Sequence, residues 1–147
     1  MIGKIGFLLA PHLPVQVERQ HHRVNGDSAC IIGGRPWDPS VVLDCCDQAM
    51  EAGVYPGMDL AKAAMRCPRA QFLPADNDTY HAMQQQVDAA LRQFTDRVET
   101  AGLGTWLVDV ADMCRMFPDD LDLAERMLQA VQQHTGLTMQ LGMADAR

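Results

Sequence analysis

The sequence has little positive charge, few aromatic side chains and no long apolar run. Its 147 residues carry 12 lysines and arginines against 19 aspartates and glutamates, which gives a formal net charge of −7 at pH 7. A protein that binds nucleic acid by itself usually presents a basic surface, because contacts with phosphates supply much of the affinity. The composition therefore argues against a nucleic-acid-binding domain that acts alone. Such a role would require a local patch, a missing segment or a partner.

No apolar stretch approaches the roughly 20 residues that a membrane-spanning helix needs. The apolar run over residues 5–10 is also too short for a secretory signal, and no cationic lead-in or cleavage pattern accompanies it. We therefore expect a soluble, cytoplasmic protein with no membrane contact. The length of 147 residues fits one compact domain, or one domain with a small lobe. The apolar content of 48% and the charged content of 21% are ordinary for a globular protein and argue against disorder.

The five cysteines show no C-x-x-C spacing, and two of them, Cys45 and Cys46, are adjacent. This pattern argues against both a disulfide framework and a zinc site. We predict reduced thiols that fill space in the core, with a redox role for the adjacent pair as the alternative. The histidines nearest one another, His12, His21 and His22, match no standard zinc-ligand spacing. We predict no metal site among them.

Apolar patterns predict short strands alternating with helices. Buried runs and alternating patterns indicate strands over residues 5–10, 28–33, 41–43, 71–73 and 137–143, and two more around Gly102 and Gly104. Helix start and stop signals at Pro14, Gly53 and Cys67-Pro68 indicate short helices over residues 15–22, 44–52 and 59–66. Three- and four-residue spacings of apolar residues indicate two longer helices. The core-facing residues predicted for the longer helices are Tyr80, Met83, Val87, Leu91 and Phe94, and then Leu121, Ala124, Leu128 and Val131.

The order of these elements predicts an α+β fold. Without the small mixed lobe that follows the first helix, the order is βαββαβ. This order is typical of a ferredoxin-like fold, in which one layer of helices covers a sheet of antiparallel or mixed strands.

Several short motifs lie along nearly the whole chain. They are Gln16-Val17-Glu18, Gly53-Val54 with Pro56-Gly57-Met58, Cys67-Pro68, Phe72-Leu73-Pro74 with Tyr80, Val98-Glu99 with Asp109, and Thr135-Gly136-Leu137-Thr138 with Leu141-Gly142-Met143-Ala144. In order and spacing they resemble the Y-family translesion DNA polymerases, the UmuC/DinB group. The resemblance implies a palm formed by residues 1–22 and 76–147, with residues 23–75 inserted as fingers. The family's thumb and little finger have no counterpart here, so we expect a fragment.

The reaction of this family is nucleotidyl transfer, in which three carboxylates hold two Mg²⁺ ions. Magnesium requires hard oxygen ligands in near-octahedral geometry. The resemblance places one of these carboxylates at Leu9, where the first strand ends, and the acidic pair of the S-I-D-E motif at Gly104 and Thr105. It therefore implies that the magnesium site of the family is lost here, and that the chain is not an active DNA-directed DNA polymerase.

The positions that grip the incoming triphosphate are changed as well. The resemblance places the family's tyrosine and arginine at Asp47 and Met50. Exchanging a cation for a thioether and adding a carboxylate produces a surface that repels phosphate. Arg147 stands at the family's terminal lysine position and is a weak candidate for a phosphate contact. An ordinary solvated arginine is the simpler interpretation.

Loss of the carboxylates with retention of the packing motifs is similar to the ImuB branch of the family. That likeness implies an adaptor in DNA repair and damage-induced mutagenesis, which bridges the sliding clamp, an error-prone polymerase and a RecA-like accessory protein. DNA would be contacted mainly by segments outside this chain. One alternative is an active translesion polymerase whose metal site uses displaced carboxylates, and another is a palm-fold protein-binding module without a DNA role. The displaced candidates are Glu18, Glu99, Asp109 and Asp112.

Overall fold

The computed structural model describes residues 3–113, 116–117 and 119–146. In chain order the elements are β1 (Gly3–Leu9), α1 (Leu13–Gln20), β2 (Cys30–Ile32), β3 (Asp44–Cys45), α2 (Asp47–Glu51), α3 (Leu60–Arg66), β4 (Gln71–Leu73), α4 (Asn77–Leu91), β5 (Val98–Thr100), β6 (Thr105–Asp109), α5 (Asp120–Thr135) and β7 (Gln140–Ala146). The predicted α+β class is confirmed. Of the helices in the described residues, none is both long and apolar enough to cross a membrane.

The chain divides into two compact units, residues 1–13 with 78–147, and residues 14–77. The predicted boundaries between palm and fingers lie after residues 22 and 75, whereas the boundaries between the compact units lie after residues 13 and 77. The first helix thus groups almost entirely with the second unit. The assignment of palm and fingers to residue ranges stays a prediction.

The first unit has the predicted βαββαβ order, with α4 and α5 as its two helices. Its sheet has the strand order β5-β6-β1-β7, and every neighbouring pair is antiparallel. Strand β6 lies between β1 and β5, and β1 lies between β6 and β7. Each helical crossover therefore joins two parallel strands that have one antiparallel strand between them, which is the arrangement of ferredoxin-like folds.

One face of this sheet is buried and the other is open. Leu8, Trp106 and Val108 point into the core, whereas Phe7, between core-facing neighbours on β1, is 48% exposed. This alternation follows from the two-residue period of a strand. The helices supply the other half of the core through Tyr80, Met83, Val87 and Leu91 of α4 and Leu123, Met127 and Val131 of α5.

Part of the predicted helix pattern is wrong. Leu121 is 67% exposed, and the buried positions of α5 begin at Leu123. These two residues lie about 200° apart around the helix, so the predicted stripe began on the opposite side. The end signals are confirmed, because the Asp119 side chain accepts a hydrogen bond from the Asp122 N–H and Gly136 adopts a left-handed conformation. Phe94 lies beyond the end of α4.

The second unit contains a small mixed sheet of order β3-β2-β4. The strand predicted at residues 41–43 is displaced to β3, and the helix predicted from Asp44 begins at Asp47. The cause is the pairing with β2, which holds the chain extended until the Cys46 N–H donates to the Cys30 carbonyl at 3.1 Å. Helix α2 begins directly after this hydrogen bond, at Asp47.

The cysteines of this second unit act as core residues. Cys30, Cys45 and Cys46 are buried and unpaired by disulfides, as predicted, and Cys67 is half-buried. Burial raises the pKa of the Cys30 and Cys45 thiols to about 12. Both thiols are therefore protonated at neutral pH and poorly nucleophilic. Cys114 lies outside the described residues.

Candidate functional site

Leu9, Gly104 and Thr105, which the resemblance assigns to the metal-binding carboxylates of the family, lie together at one end of the palm-like sheet. Leu9 of β1 is directly opposite Thr105 of β6, and Gly104 immediately precedes Thr105. Side chains directly opposite on antiparallel strands have Cβ atoms about 5 Å apart and point to the same face. The Gly104 carbonyl accepts a hydrogen bond from the Ala10 N–H at 2.8 Å, which fixes the two strand ends together.

The chemistry of these side chains does not fit magnesium. Leu9 offers only hydrocarbon, Gly104 offers only hydrogen, and Thr105 offers one neutral hydroxyl. A Mg²⁺ ion needs anionic or strongly polar oxygen ligands. In the part of the chain that the structure describes, no group of three or more His, Cys, Asp or Glu residues is arranged to hold a metal ion. No catalytic step through a metal can be derived from these residues.

The turn before Thr105 depends on glycine. Gly102 has φ +108° and Gly104 has φ +83°, a region that side chains with a Cβ rarely adopt. A Cβ added at Gly104 would lie 3.1 Å from the Ala10 carbonyl oxygen and 3.4 Å from the Leu13 Cβ. The same addition at Gly102 meets nothing within 4 Å. Gly104 is therefore constrained both by its backbone conformation and by its neighbours.

A buried glutamine of α4 holds this turn. Gln84 donates from Nε2 to the Gly102 carbonyl at 3.0 Å, and its Oε1 accepts from the Gly104 N–H at 3.1 Å. One side-chain amide thus satisfies two backbone groups of the turn. The sequence interpretation missed Gln84. The available signal was a polar residue next to Met83 on the face of α4 that the apolar stripe defines.

Two of the displaced candidate carboxylates, those of Asp109 and Glu18, are held by other contacts, and the other two are exposed. The Asp109 carboxylate accepts hydrogen bonds from the Ala111 N–H and from Arg97 Nη1, both at 3.1 Å. It lies opposite Ile5, four residues along each strand from Leu9 and Thr105. Glu99 and Asp112 are exposed. Glu18 belongs to the other compact unit, where it is buried and its carboxylate lies 3.4 Å from Arg23.

These contacts predict the titration of Asp109. The Ala111 N–H and, next, the Arg97 guanidinium stabilise the charged carboxylate and lower its pKa. Because the pKa is depressed on folding, the stabilisation is fully present above the unfolded value of about 3.9 and is lost as the pH falls through the folded pKa. A side-chain carbon NMR titration should give Asp109 a midpoint below 3.9, a value typical of an unfolded aspartate. Arg97→Ala should raise this midpoint only in part, because the Ala111 bond remains. An unshifted midpoint in the parent chain would contradict this assignment.

Asp47 and Met50, which the resemblance assigns to the triphosphate contacts of the family, lie in the second unit. Asp47 is the first residue of α2, and Met50 lies on the same helix; both are exposed. They present a carboxylate and a thioether, neither of which binds phosphate. Arg147, the remaining phosphate candidate, lies outside the described residues. His21 and His22 are exposed, and His12 is half-buried.

The fold is that of a Y-family polymerase palm region. Over 98% of its length the chain superposes on DinB from Sulfolobus solfataricus with a TM-score of 0.87 at 21% sequence identity, and it covers 42% of that protein. It superposes on the insertion ternary complex of Dbh DNA polymerase with a TM-score of 0.83 at 23% identity, over 98% of this chain and 42% of that one. At these identities the likeness establishes the fold alone.

Sequence comparison establishes the family. The impB/mucB/samB family model matches residues 10–147, and the chain belongs to this family, the UmuC/DinB group of Y-family polymerases. It is 35% identical over 133 residues to DNA polymerase IV 2 of Mycobacterium tuberculosis, covering 88% of this chain and 38% of that protein. It is 30% identical over 113 residues to DNA polymerase IV of Ralstonia nicotianae, covering 77% and 32%. The predicted family is thus confirmed, and the chain spans about a third of the length of these relatives.

Proposed function

We propose that this chain is the catalytically inactive palm and fingers of an ImuB-type Y-family homologue, which acts as a cytoplasmic adaptor in DNA repair and damage-induced mutagenesis. The palm would comprise residues 1–22 and 76–147, and the fingers residues 23–75. One observation carries the proposal: the row formed by Leu9 and Thr105, with Gly104 beside it, lacks a carboxylate. Transfer of a nucleotidyl group by this family requires metal-bound oxygens at these positions.

The surrounding structure supports the same conclusion. A carboxylate at position 104 would meet a strained backbone and the Ala10 carbonyl oxygen, so the turn does not accommodate the residue that chemistry needs. Asp109, the nearest aspartate along β6, is already bonded to Ala111 and Arg97. The geometry therefore favours a retained scaffold over a rearranged metal site.

The proposed partners are the sliding clamp, an error-prone polymerase and a RecA-like accessory protein. The formal net charge of −7 supports protein partners, since phosphate contacts by this chain alone would be opposed by its own charge. Contact with DNA would be made mainly by segments outside residues 1–147.

Metal binding tests the inactive assignment directly. Mn²⁺ would be titrated into this chain with dATP and a primer–template present, and bound ion measured by electron paramagnetic resonance. The aligned segment of the Mycobacterium tuberculosis relative serves as the positive control. We expect bound Mn²⁺ in the control and none above background here. Specific binding or primer extension by this chain, abolished by Asp109→Asn, would instead establish an active polymerase with a rearranged site.

The adaptor role has a separate test. The natural protein that contains this chain would be mixed with each of the three purified partners, and binding measured by analytical ultracentrifugation. At least one complex is expected. If no partner binds and no metal is held, the palm-fold module without a DNA role becomes the better explanation.

A further inference from the structure

The open face of the palm-like sheet carries a continuous apolar surface. Three cross-strand rows define it: Gln140–Leu9–Thr105, Gly142–Phe7–Leu107–Glu99, and Ala144–Ile5–Asp109. We call the surface formed by these rows the open face. Its centre is Phe7, which is 48% exposed, flanked by the half-buried Ile5, Leu9 and Leu107. A large aromatic at the centre of an exposed apolar surface is typical of a protein interaction site.

A groove runs along one side of the open face. It has a volume of about 370 Å³ and is lined by Ile5, Leu107, Val108, Asp109 and the segment Asp96–Glu99. It lies along the β5–β6 edge of the sheet, where β5 is a three-residue edge strand that pairs with β6. The groove therefore combines an apolar floor with a rim made of charged side chains.

The rim of this groove is strongly acidic. Among the described residues that line the groove, Arg97 is the one cation. Its guanidinium forms an ion pair with Asp109, and the nearby charges of Asp112 and Asp96 also stabilise its charged form. Glu99 also lines the groove, so three carboxylates, those of Asp96, Glu99 and Asp109, accompany this single guanidinium there. These carboxylates lie on or beside the short β5–β6 edge, so their charges reinforce one another there.

We infer that the open face docks a polypeptide segment with apolar side chains flanked by lysine or arginine, an inference that rests on the proposed adaptor function. Apolar side chains would pack over Phe7 and Leu107, and the flanking cations would pair with Glu99 and the other rim carboxylates. Charge complementarity of this kind raises the association rate and selects the partner. Nucleic acid is disfavoured, because its phosphates would face a negative rim and find one cation that Asp109 already holds.

Amide chemical shifts of the isotope-labelled chain test the inference. The probes are an amphipathic leucine–lysine peptide, a leucine–glutamate peptide with the same apolar pattern, a serine–lysine peptide with the same charge, and a primer–template duplex. We expect the leucine–lysine peptide to shift amides of residues 5–9 and 105–109, and to bind at least about tenfold more tightly than the other probes, which corresponds to 1.4 kcal/mol.

Matched variants distinguish docking on the open face from nonspecific binding elsewhere on the chain. Phe7→Ser and Glu99→Lys should each weaken the leucine–lysine peptide at least about fivefold, through the lost apolar contact and the reversed rim charge. Leu121→Ser and Glu125→Lys alter exposed residues of α5, outside the open face, and should leave binding unchanged. Both chosen positions on the open face are exposed, so the variants are expected to fold.

Several outcomes would overturn the inference. These are peptide shifts that map elsewhere, shifts of the open face caused by the duplex, or concentration-dependent shifts without any probe, which would indicate self-association. The outcome is distinct from that of the manganese titration. A chain that holds no metal and shows no peptide shifts refutes docking but leaves the inactive assignment standing, whereas bound manganese refutes the inactive assignment itself.

Discussion

Gln84→Ala should lower the free energy of unfolding by about 2–4 kcal/mol, although Gln84 is a polar residue that touches no ligand. The substitution removes the partner of the Gly104 N–H, which is buried, and of the Gly102 carbonyl. A buried donor left without a partner costs about 1–3 kcal/mol, and the space vacated by the amide adds to this loss. The measurement is urea denaturation, followed by circular dichroism.

The neighbouring glutamine provides the control. Gln86 lies on the same helix but is exposed, so Gln86→Ala should change stability by no more than about 0.5 kcal/mol. Hydrogen exchange adds a local readout, because the Gly104 amide should exchange faster in Gln84→Ala while amides of the second compact unit are unaffected. Equal effects of the two substitutions would show that the Gln84 contacts do not hold the turn.

Gln84 also illustrates the difference between features that local sequence patterns predict and contacts that depend on the tertiary fold. The apolar run at residues 5–10, the glycine that ends α5 and the two strands around Gly102 and Gly104 were all predictable, since each depends on local pattern. A side chain that reaches from α4 to a turn 18 residues away is a tertiary contact. The period of the helix places Gln84 on the buried face of α4, but it does not identify the backbone groups that the side chain contacts.

The wrong predictions for α5 and for the strand at residues 41–43 also depend on tertiary contacts. Leu121 and Leu123 both fit a helical spacing, and only packing against the sheet decides which of them is buried. The strand placed at residues 41–43 was displaced because pairing with β2, rather than local apolarity, sets where β3 lies. At the candidate site, the motif spacing named Leu9, Gly104 and Thr105. The backbone conformation that excludes a side chain at Gly104 became visible only in three dimensions.

Gly104→Ala should destabilise the chain by about 2–4 kcal/mol. Holding a residue with a Cβ at φ +83° costs about 1–3 kcal/mol, and the 3.1 Å approach to the Ala10 carbonyl oxygen adds to that strain. Gly102→Ala is the matched control, since it has the same kind of backbone conformation at φ +108° but open space around the added atom. It should cost about 1–2 kcal/mol, so the difference between the two variants measures the contact with Ala10.

The effects of Gln84→Ala and Gly104→Ala on stability should not be independent. The Gly104 N–H is bonded to the Gln84 side chain, and the Gly104 carbonyl is bonded to the Ala10 N–H. Both hydrogen bonds oppose a shift of the Gly104 backbone. Removing Gln84 releases one side, and the added methyl group of Gly104→Ala can then move away from the Ala10 carbonyl. The double variant should therefore lose at least about 0.5 kcal/mol less than the sum of the single variants. Strict additivity would mean that the turn keeps its conformation without Gln84.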